Sequence, residues 1–435
     1  MSARGEKVLI QHLPNEESLT TIAREGLPSF ILPTEELRPV YDWALKRFFR
    51  SGRKEAASVE AIKAEWGDLL NDHDIDIEEA PEDAIEWAID DLKGGWVYLK
   101  VQTFNKELGQ AIAEATADER VSVASHYSQE LISMVMDMES KEDNVDVREG
   151  FDLRLKAYQE RLEDQEHIYG LRFGLPDIDN FTRGIHPGEL AIVAAGPKVG
   201  KSWLCALTAL REWEAGSSVV LYTLENSVDM TLDRMACLAQ NVEYRNWQHG
   251  NLVEGEYERV REWVESVKDR DTPLRVIQPE PGQRSVEQLV QQAQLMDADS
   301  LIIDQLTFLE PPDERAPRHI QIREITHRLH TMISTGRKKM PCLMAHQINR
   351  EGVKAAAKVG YLEMYHLAEG SEVERTADWV FGIHRTHEEV LTLKAKFQVL
   401  GARRERQDHG WHLRWSIDTG FVGVLGPWSP DRNEM

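Results

Sequence analysis

The segment Ala195-Gly196-Pro197-Lys198-Val199-Gly200-Lys201-Ser202 constrains the chain more than any other. It follows an apolar run, Leu190-Ala191-Ile192-Val193-Ala194, that reads as a short buried strand. It precedes Trp203 to Ala215, which reads as a helix. Strand, glycine-containing turn, Gly-Lys-Ser and helix form the layout of a phosphate-binding loop. The physical need is narrow. Successive backbone N–H groups must point at phosphate oxygens, and small residues let the chain come close. The helix N-terminus adds its positive dipole end. Lys201 is placed to reach terminal phosphates, and the Ser202 hydroxyl to ligate Mg²⁺. Ala195 through Trp203 are therefore the candidate nucleotide-binding residues. The strict pattern wants Gly at position 195, where this chain has Ala.

From Gly174 onward, β-branched runs alternate with helical patterns. Strands are expected at 190–194, 218–224, 274–278, 300–304, 341–345, 378–384, 395–400 and 410–416. Helices are expected at 202–215, 228–240, 255–268, 285–297 and 319–336. This alternation predicts an α/β domain on a largely parallel sheet, and the short links between the last strands predict an antiparallel edge.

In such a sheet, ligands gather at the carboxyl ends of the strands. Glu225 ends the second strand and is a candidate to orient or deprotonate an attacking water. Capping of the next helix is the plain alternative for this acid. Asp304 ends the apolar Leu301-Ile302-Ile303 run, where a carboxylate holds the Mg²⁺ shell in many phosphate-loop sites. Gln347 and Asn349 follow another buried strand, and either amide is able to sense a γ-phosphate. Two long loops are expected to contact nucleic acid. One carries Arg315 and Arg318; the other, from Arg350 to Gly370, carries Lys354 and Lys358. Arg403, Arg404 and Arg406 cluster at a strand end. They read either as a solvated basic turn or as arginine fingers acting in trans on a neighbouring subunit's site.

Residues 1–138 show no nucleotide or metal motif and read as an all-α domain for oligomerisation or partner binding. The spacing of Leu37, Val40, Tyr41, Ala44, Leu45 and Phe48 predicts an amphipathic helix, and Ser58 an N-cap. Residues 1–8 are expected to be disordered. Segments 95–116 and 119–139 are expected to form a helical hairpin, and 139–172 a linker with a short helix from Phe151. The ATPase domain then spans 173–435. The net charge of −24 is uneven: residues 1–150 hold 16 Lys and Arg against 32 Asp and Glu. An acidic exterior is compatible with a basic channel, because screening limits reach to ~10 Å. No apolar run is long enough to span a membrane, no signal peptide is evident, and the cysteines Cys205, Cys237 and Cys342 lie far apart. These features predict a reducing, cytoplasmic setting.

Together these motifs resemble DnaB-type replicative DNA helicases, built on a RecA-like ATPase core. The resemblance covers about residues 172–425. It rests on Gly174 to Asp179, Gly184 to Leu190 and the phosphate loop, which commonly begins with Ala in that family. It rests further on Tyr222-Thr223-Leu224-Glu225-Asn226, Ile302-Ile303-Asp304-Gln305-Leu306, Gln347-Ile348-Asn349-Arg350, Glu369 to Asp378 and Arg404-x-Arg406. The family has Lys-x-Arg at the last position, so Arg404 is a departure. The resemblance implies a homo-hexameric ring that uses ATP and Mg²⁺ and translocates 5′ to 3′ on single-stranded DNA. It also implies primase and a helicase loader as partners. In it Glu225 orients water, Gln347 senses phosphate, and Arg404 and Arg406 enter the adjacent site. The divergent N-terminal region points to a phage or other mobile replicon as source. Two other readings of the same core stay open here: a RecA-like recombinase, and a non-DNA regulatory ring ATPase, toward which the acidic charge leans.

Overall fold

The computed structural model describes residues 3–429 except 26, 52–54, 79, 82–83, 121, 125, 129–130, 132–146, 165–166, 336–337, 349, 368–372, 374 and 406–408. The chain divides into two compact units, Met1–Lys156 and Ala157–Met435.

The first unit is helical among its described residues. Its helices include Ala3–Gln11, Glu16–Arg24, Arg38–Arg50, Val59–Asp72 and Ile85–Glu114. Arg38–Arg50 buries Val40, Tyr41, Ala44 and Phe48, the stripe that its spacing dictates. Ser58 caps Val59–Asp72 by accepting the Ala61 N–H at 3.3 Å. The expected disorder of residues 1–8 is corrected. Ala3–Gln11 is a helix that packs against Ile85–Glu114 and buries Val8, Leu9 and Ile10. Its Glu6 accepts the Thr34 N–H at 2.9 Å and the Thr34 hydroxyl at 2.7 Å. The expected helix start near residue 95 is also corrected: one helix of 30 residues runs through Gly94 and Gly95. Much of the second hairpin arm, 119–139, lies outside the described residues. The helix Val147–Glu163 occupies the region read as linker.

The second unit is built on a nine-stranded sheet in the order β3-β2-β4-β5-β1-β6-β7-β8-β9. The strands are β1 Leu190–Ala195, β2 Val219–Thr223, β3 Leu274–Ile277, β4 Ser300–Asp304 and β5 Cys342–Gln347. They continue with β6 Trp379–His384, β7 Lys394–Ala402, β8 Gly410–Ser416 and β9 Phe421–Trp428. Pairing is parallel from β3 through β6 and antiparallel from β6 through β9.

Helices cover both faces, so the central strands are buried almost throughout and mainly apolar, with polar residues such as Asp304 and Gln347 at their ends. In β1, Ala191, Val193 and Ala195 join one core with the helix Lys201–Glu214. Leu190, Ile192 and Ala194 join the other, with Val286–Leu295 and Arg318–Ser334. β9 is an unexpected element. Its Gly423, Gly426 and Pro427 interrupt any strand pattern, which an edge position tolerates. The segment after β5, expected as a loop, begins as the helix Arg350–Val359. All three cysteines are buried and unpaired. Among the described residues, no helix is long and apolar enough to cross a membrane.

Candidate active site

The register of the sheet brings the motif residues to one edge. Ala195 at the end of β1 lies opposite Gln347 of β5, and Thr223 of β2 lies opposite Asp304 of β4. Because β2, β4, β5 and β1 are consecutive neighbours, the phosphate loop, Glu225, Asp304 and Gln347 all emerge at the carboxyl edge.

The loop is held in a shape that only glycine permits at its last position. Gly200 has φ +114° and directly precedes the helix Lys201–Glu214. A Cβ there would stand 2.8 Å from the indole nitrogen of Trp415. That nitrogen donates to the Val199 carbonyl at 2.9 Å, so β8 supports the loop from beneath. Lys201 is buried, and its ammonium donates to the carbonyls of Ala195 and Gly196, each at 3.2 Å. Burial lowers its pKa, while the charges of Asp304 and Glu225 act to raise it.

Asp304 is 3% exposed, and its Oδ1 is buried without a hydrogen-bond partner among the described residues. Burial pushes its pKa up, opposed first by a hydrogen bond from Ser202. Asn226 bridges the pair: its Nδ2 is 3.3 Å from Ser202 Oγ and 3.4 Å from Asp304 Oδ2. An orphaned carboxylate oxygen beside a serine hydroxyl is a donor set that fits a hydrated Mg²⁺. Glu225 is exposed at the mouth of this site. Gln347 accepts from Gln305 Nε2 at 3.2 Å, which ties the β5 end to the residue after Asp304. Trp203 is 9% exposed and packs against Tyr244, with ring centres 5.2 Å apart.

Residues 170–408, more than half of the chain, match the model of the DnaB-like helicase C-terminal domain. The chain belongs to this family. It is 25% identical over 255 residues to the replicative DNA helicase DnaB of Rickettsia typhi, covering 55% of this chain and 50% of that protein. It is 25% identical over 242 residues to the replicative DNA helicase DnaC of Bacillus subtilis, covering 54% and 52%. The chain thus spans about half the length of the curated relatives it matches. A solved structure of a DnaB-like replicative helicase and its interactions with primase superposes with a TM-score of 0.61 at 14% identity. That match covers 97% of this chain and 99% of the other. The fold is accordingly a RecA-like α/β core with a separate N-terminal region that is helical among its described residues.

The remaining expected residues of this DnaB-like chain fall in two places. Arg315 and Arg318 follow β4, and Lys354 and Lys358 follow the neighbouring β5, so both segments leave the same carboxyl edge. All four residues are exposed. Lys354 and Lys358 lie one turn apart on one helix face. Arg318 donates to Gln321 Oε1 at 3.1 Å and to the Thr307 carbonyl at 3.2 Å. Arg350 begins the helix Arg350–Val359; Asn349 and Arg406 lie outside the described residues. Arg403 and Arg404 sit at the opposite, amino-terminal edge of β1 and β6, paired with Asp378 and Glu189.

Sequence reasoning missed three supports of the site. Arg234 lies 5.6 Å over the Trp203 ring and 3.4 Å from Asn226 Oδ1, with Nε and Nη1 buried and unpartnered among the described residues. Nothing in Leu232-Asp233-Arg234 distinguishes it from a solvated helix face. Trp415 carries no motif signal either. Asn226 lies inside the Glu225 segment, where the residues alone give it no role.

Proposed function

We propose that this protein is an ATP-driven DNA helicase that acts as a homo-hexameric ring, translocating 5′ to 3′ on single-stranded DNA and unwinding duplex. The observation that carries the reading is the convergence of Lys201, Ser202, Asp304, Glu225 and Gln347 at adjacent carboxyl strand ends. That set supplies every part that phosphoryl transfer from ATP to water needs on one side of an interface.

In this reading the backbone of Ala195 to Ser202 cradles the phosphates. The Lys201 ammonium exchanges its two loop carbonyls for phosphate oxygens. Ser202 and Asp304 hold Mg²⁺, which when bound neutralises charge on the phosphates. Asn226 keeps the Ser202 hydroxyl and the Asp304 carboxylate facing one another. Glu225, exposed where solvent enters, orients the attacking water and takes its proton. Gln347 and Gln305 read the terminal phosphate and pass its loss to the segments that follow β5 and β4. Those segments carry Arg315, Arg318, Arg350, Lys354 and Lys358 toward the DNA backbone.

The names of the relatives and of the solved helicase support the DNA reading over a recombinase or a regulatory ATPase. Primase and a helicase loader are the partners this function calls for, and the cytoplasm is its setting. Unwinding of a forked duplex with a free 5′ tail tests the reading, with ATP and with a non-hydrolysable analogue. Wild type is expected to unwind only with ATP, and Lys201→Ala to lose DNA-stimulated hydrolysis. Hydrolysis retained in Lys201→Ala refutes the site assignment. ATP turnover indifferent to single-stranded DNA refutes the helicase reading.

A further inference from the structure

Arg234 stands behind Ser202 and Asp304 and touches both segments around them. It lies in the helix Val228–Gln240, which leaves β2 just after Glu225 and Asn226. Its guanidinium centre is 5.6 Å from the ring centre of Trp203, the residue after Ser202. Tyr244 packs against the same ring, and the Arg234 charge acts against the burial that raises the Tyr244 pKa. Arg234 Nη2 lies 3.4 Å from Asn226 Oδ1 and 3.3 Å from Met230 Sδ. The Asn226 main chain is fixed separately, its carbonyl accepting the Thr223 hydroxyl at 2.9 Å. The Asn226 amide therefore has Arg234 at its oxygen, and Ser202 Oγ and Asp304 Oδ2 at its nitrogen.

We propose that Arg234 is a positioning residue for the Mg²⁺ that accompanies the nucleotide. It acts through Asn226, holding the amide with its NH₂ group turned to Ser202 and Asp304, and touches neither metal nor phosphate. The proposal rests on the ATP-binding reading above and deepens it.

Three observations carry it. The first is hydrogen-bond accounting. An amide offers one oxygen acceptor and one NH₂ donor, and a guanidinium offers donors only. Arg234 therefore takes the oxygen and leaves the NH₂ for two groups able to accept it. The Ser202 hydroxyl donates to Asp304, so with Asn226 on one lone pair the hydroxyl oxygen keeps another for a cation. Asp304 Oδ1 is likewise left without a partner among the described residues. A turned amide would set its oxygen against the Asp304 carboxylate and draw the Ser202 hydrogen away from it. The second observation is a cost. Arg234 Nε and Nη1 are buried and unpartnered among the described residues. A residue kept only to hold the fold together has its buried donors met; orphaned charged donors beside a site mark stability given up for function. The third is access and shape. Because Nε and Nη1 are buried, a ligand entering from solvent does not meet them. The guanidinium lies over the Trp203 ring while one end reaches Asn226, and a lysine ammonium has no plane with which to do both.

Binding of a fluorescent ATP analogue to the full chain tests this, in EDTA and across a Mg²⁺ series, beside melting of the nucleotide-free protein. The variants are Arg234→Met, Arg234→Lys, Asn226→Ala and the Arg234→Met/Asn226→Ala double variant. Arg234→Met should need about tenfold to a hundredfold more Mg²⁺ for half-maximal binding, the range seen when a group supporting a metal ligand is removed. In EDTA its affinity should match wild type, because the phosphate loop is untouched. Asn226→Ala should shift the Mg²⁺ requirement alike, and the double variant no further than the larger single shift. Arg234→Lys keeps the charge and the stem but should behave as Arg234→Met does. Without nucleotide, Arg234→Met should melt no lower than wild type, since it removes two orphaned donors and keeps an apolar stem over Trp203. A wild-type Mg²⁺ requirement in Arg234→Met, with or without a lower melting temperature, overturns the proposal and leaves Arg234 as packing. Equal loss of affinity with and without Mg²⁺ overturns it too, because Arg234 would then meet phosphate itself. Full rescue by lysine overturns it in favour of charge alone, and additive shifts in the double variant overturn the route through Asn226. Wild type that binds the analogue with no Mg²⁺ dependence defeats the proposal and leaves nucleotide binding standing. Wild type that binds no analogue defeats the ATP reading and this role with it.

Discussion

Trp415 offers a test of how the nucleotide loop is held in shape. It lies on β8, is 0% exposed, and donates its indole N–H to the Val199 carbonyl at 2.9 Å. Trp415→Phe removes that donor and leaves a carbonyl facing a buried space, at about 1–3 kcal/mol. The smaller ring also vacates about 40 Å³, worth about 1 kcal/mol at ~24 cal/mol per Å³. The expected loss of stability is therefore about 2–4 kcal/mol. It should appear in urea unfolding followed by circular dichroism, since the chain's 12 tryptophans make fluorescence ambiguous. The functional consequence is more specific. Without Trp415 the Val199–Gly200 peptide is free to leave its φ +114° geometry, and the loop must be re-ordered when phosphate binds. Affinity for a fluorescent ATP analogue is expected to fall about tenfold, equivalent to ~1.4 kcal/mol. Gly200→Ala supplies a second arm. In wild type its Cβ would strike the indole, whereas the Trp415→Phe background has room there. The alanine should thus weaken binding less in that background than in wild type. Unchanged nucleotide affinity in Trp415→Phe, with stability reduced as expected, would refute the reasoning and leave Trp415 as core packing alone.

Two further outcomes follow from buried carboxylates. Asp304→Asn removes a charge that burial disfavours, so the variant should melt a few degrees higher than wild type while losing hydrolysis. Thermal scans with nucleotide should show a Mg²⁺-dependent rise in wild type only. Asp179 has a pKa raised to about 6 by burial, opposed by three backbone N–H donors from Phe173, Gly174 and Leu175. A raised carboxylate pKa gives a contribution that is present below the unfolded value and lost as pH rises through about 6. Relative to Asp179→Asn, wild type should therefore lose about 1–2 kcal/mol of stability between pH 5 and pH 8. Parallel urea curves for the two proteins at both pH values check this.

Elements with strong periodicity or strict turn chemistry were legible from residues alone. The six apolar residues of β1, the Gly-Lys-Ser turn and the apolar β4 ending in Asp304 each carry their structure locally. Ala3–Gln11 was not legible, because a short charged segment becomes a helix only where Val8, Leu9 and Ile10 find a surface to bury. β9 was not legible, because its glycines and proline are tolerated only at an edge that the chain has first to build. The Arg350–Val359 helix is not legible either, because the length of the segment from Arg350 to Gly370 suggests a functional loop. Its Gly352 packs under the His366 carbonyl, where a side chain would not fit.

The same division holds within the site. The sequence by itself determined which groups the candidate site contains: a lysine and a serine after a glycine turn, an acid after β2, an acid ending β4 and an amide ending β5. Such groups are specified by residue type and by distance along one strand. Only the tertiary structure decided which remote groups hold them. Trp415 stands 216 residues from Val199, and Asn226 stands 78 from Asp304. No local pattern encodes those pairs. They exist because a parallel sheet lines up strand ends that the chain visits at long intervals, and buried polar groups there must find partners among whatever the packing delivers.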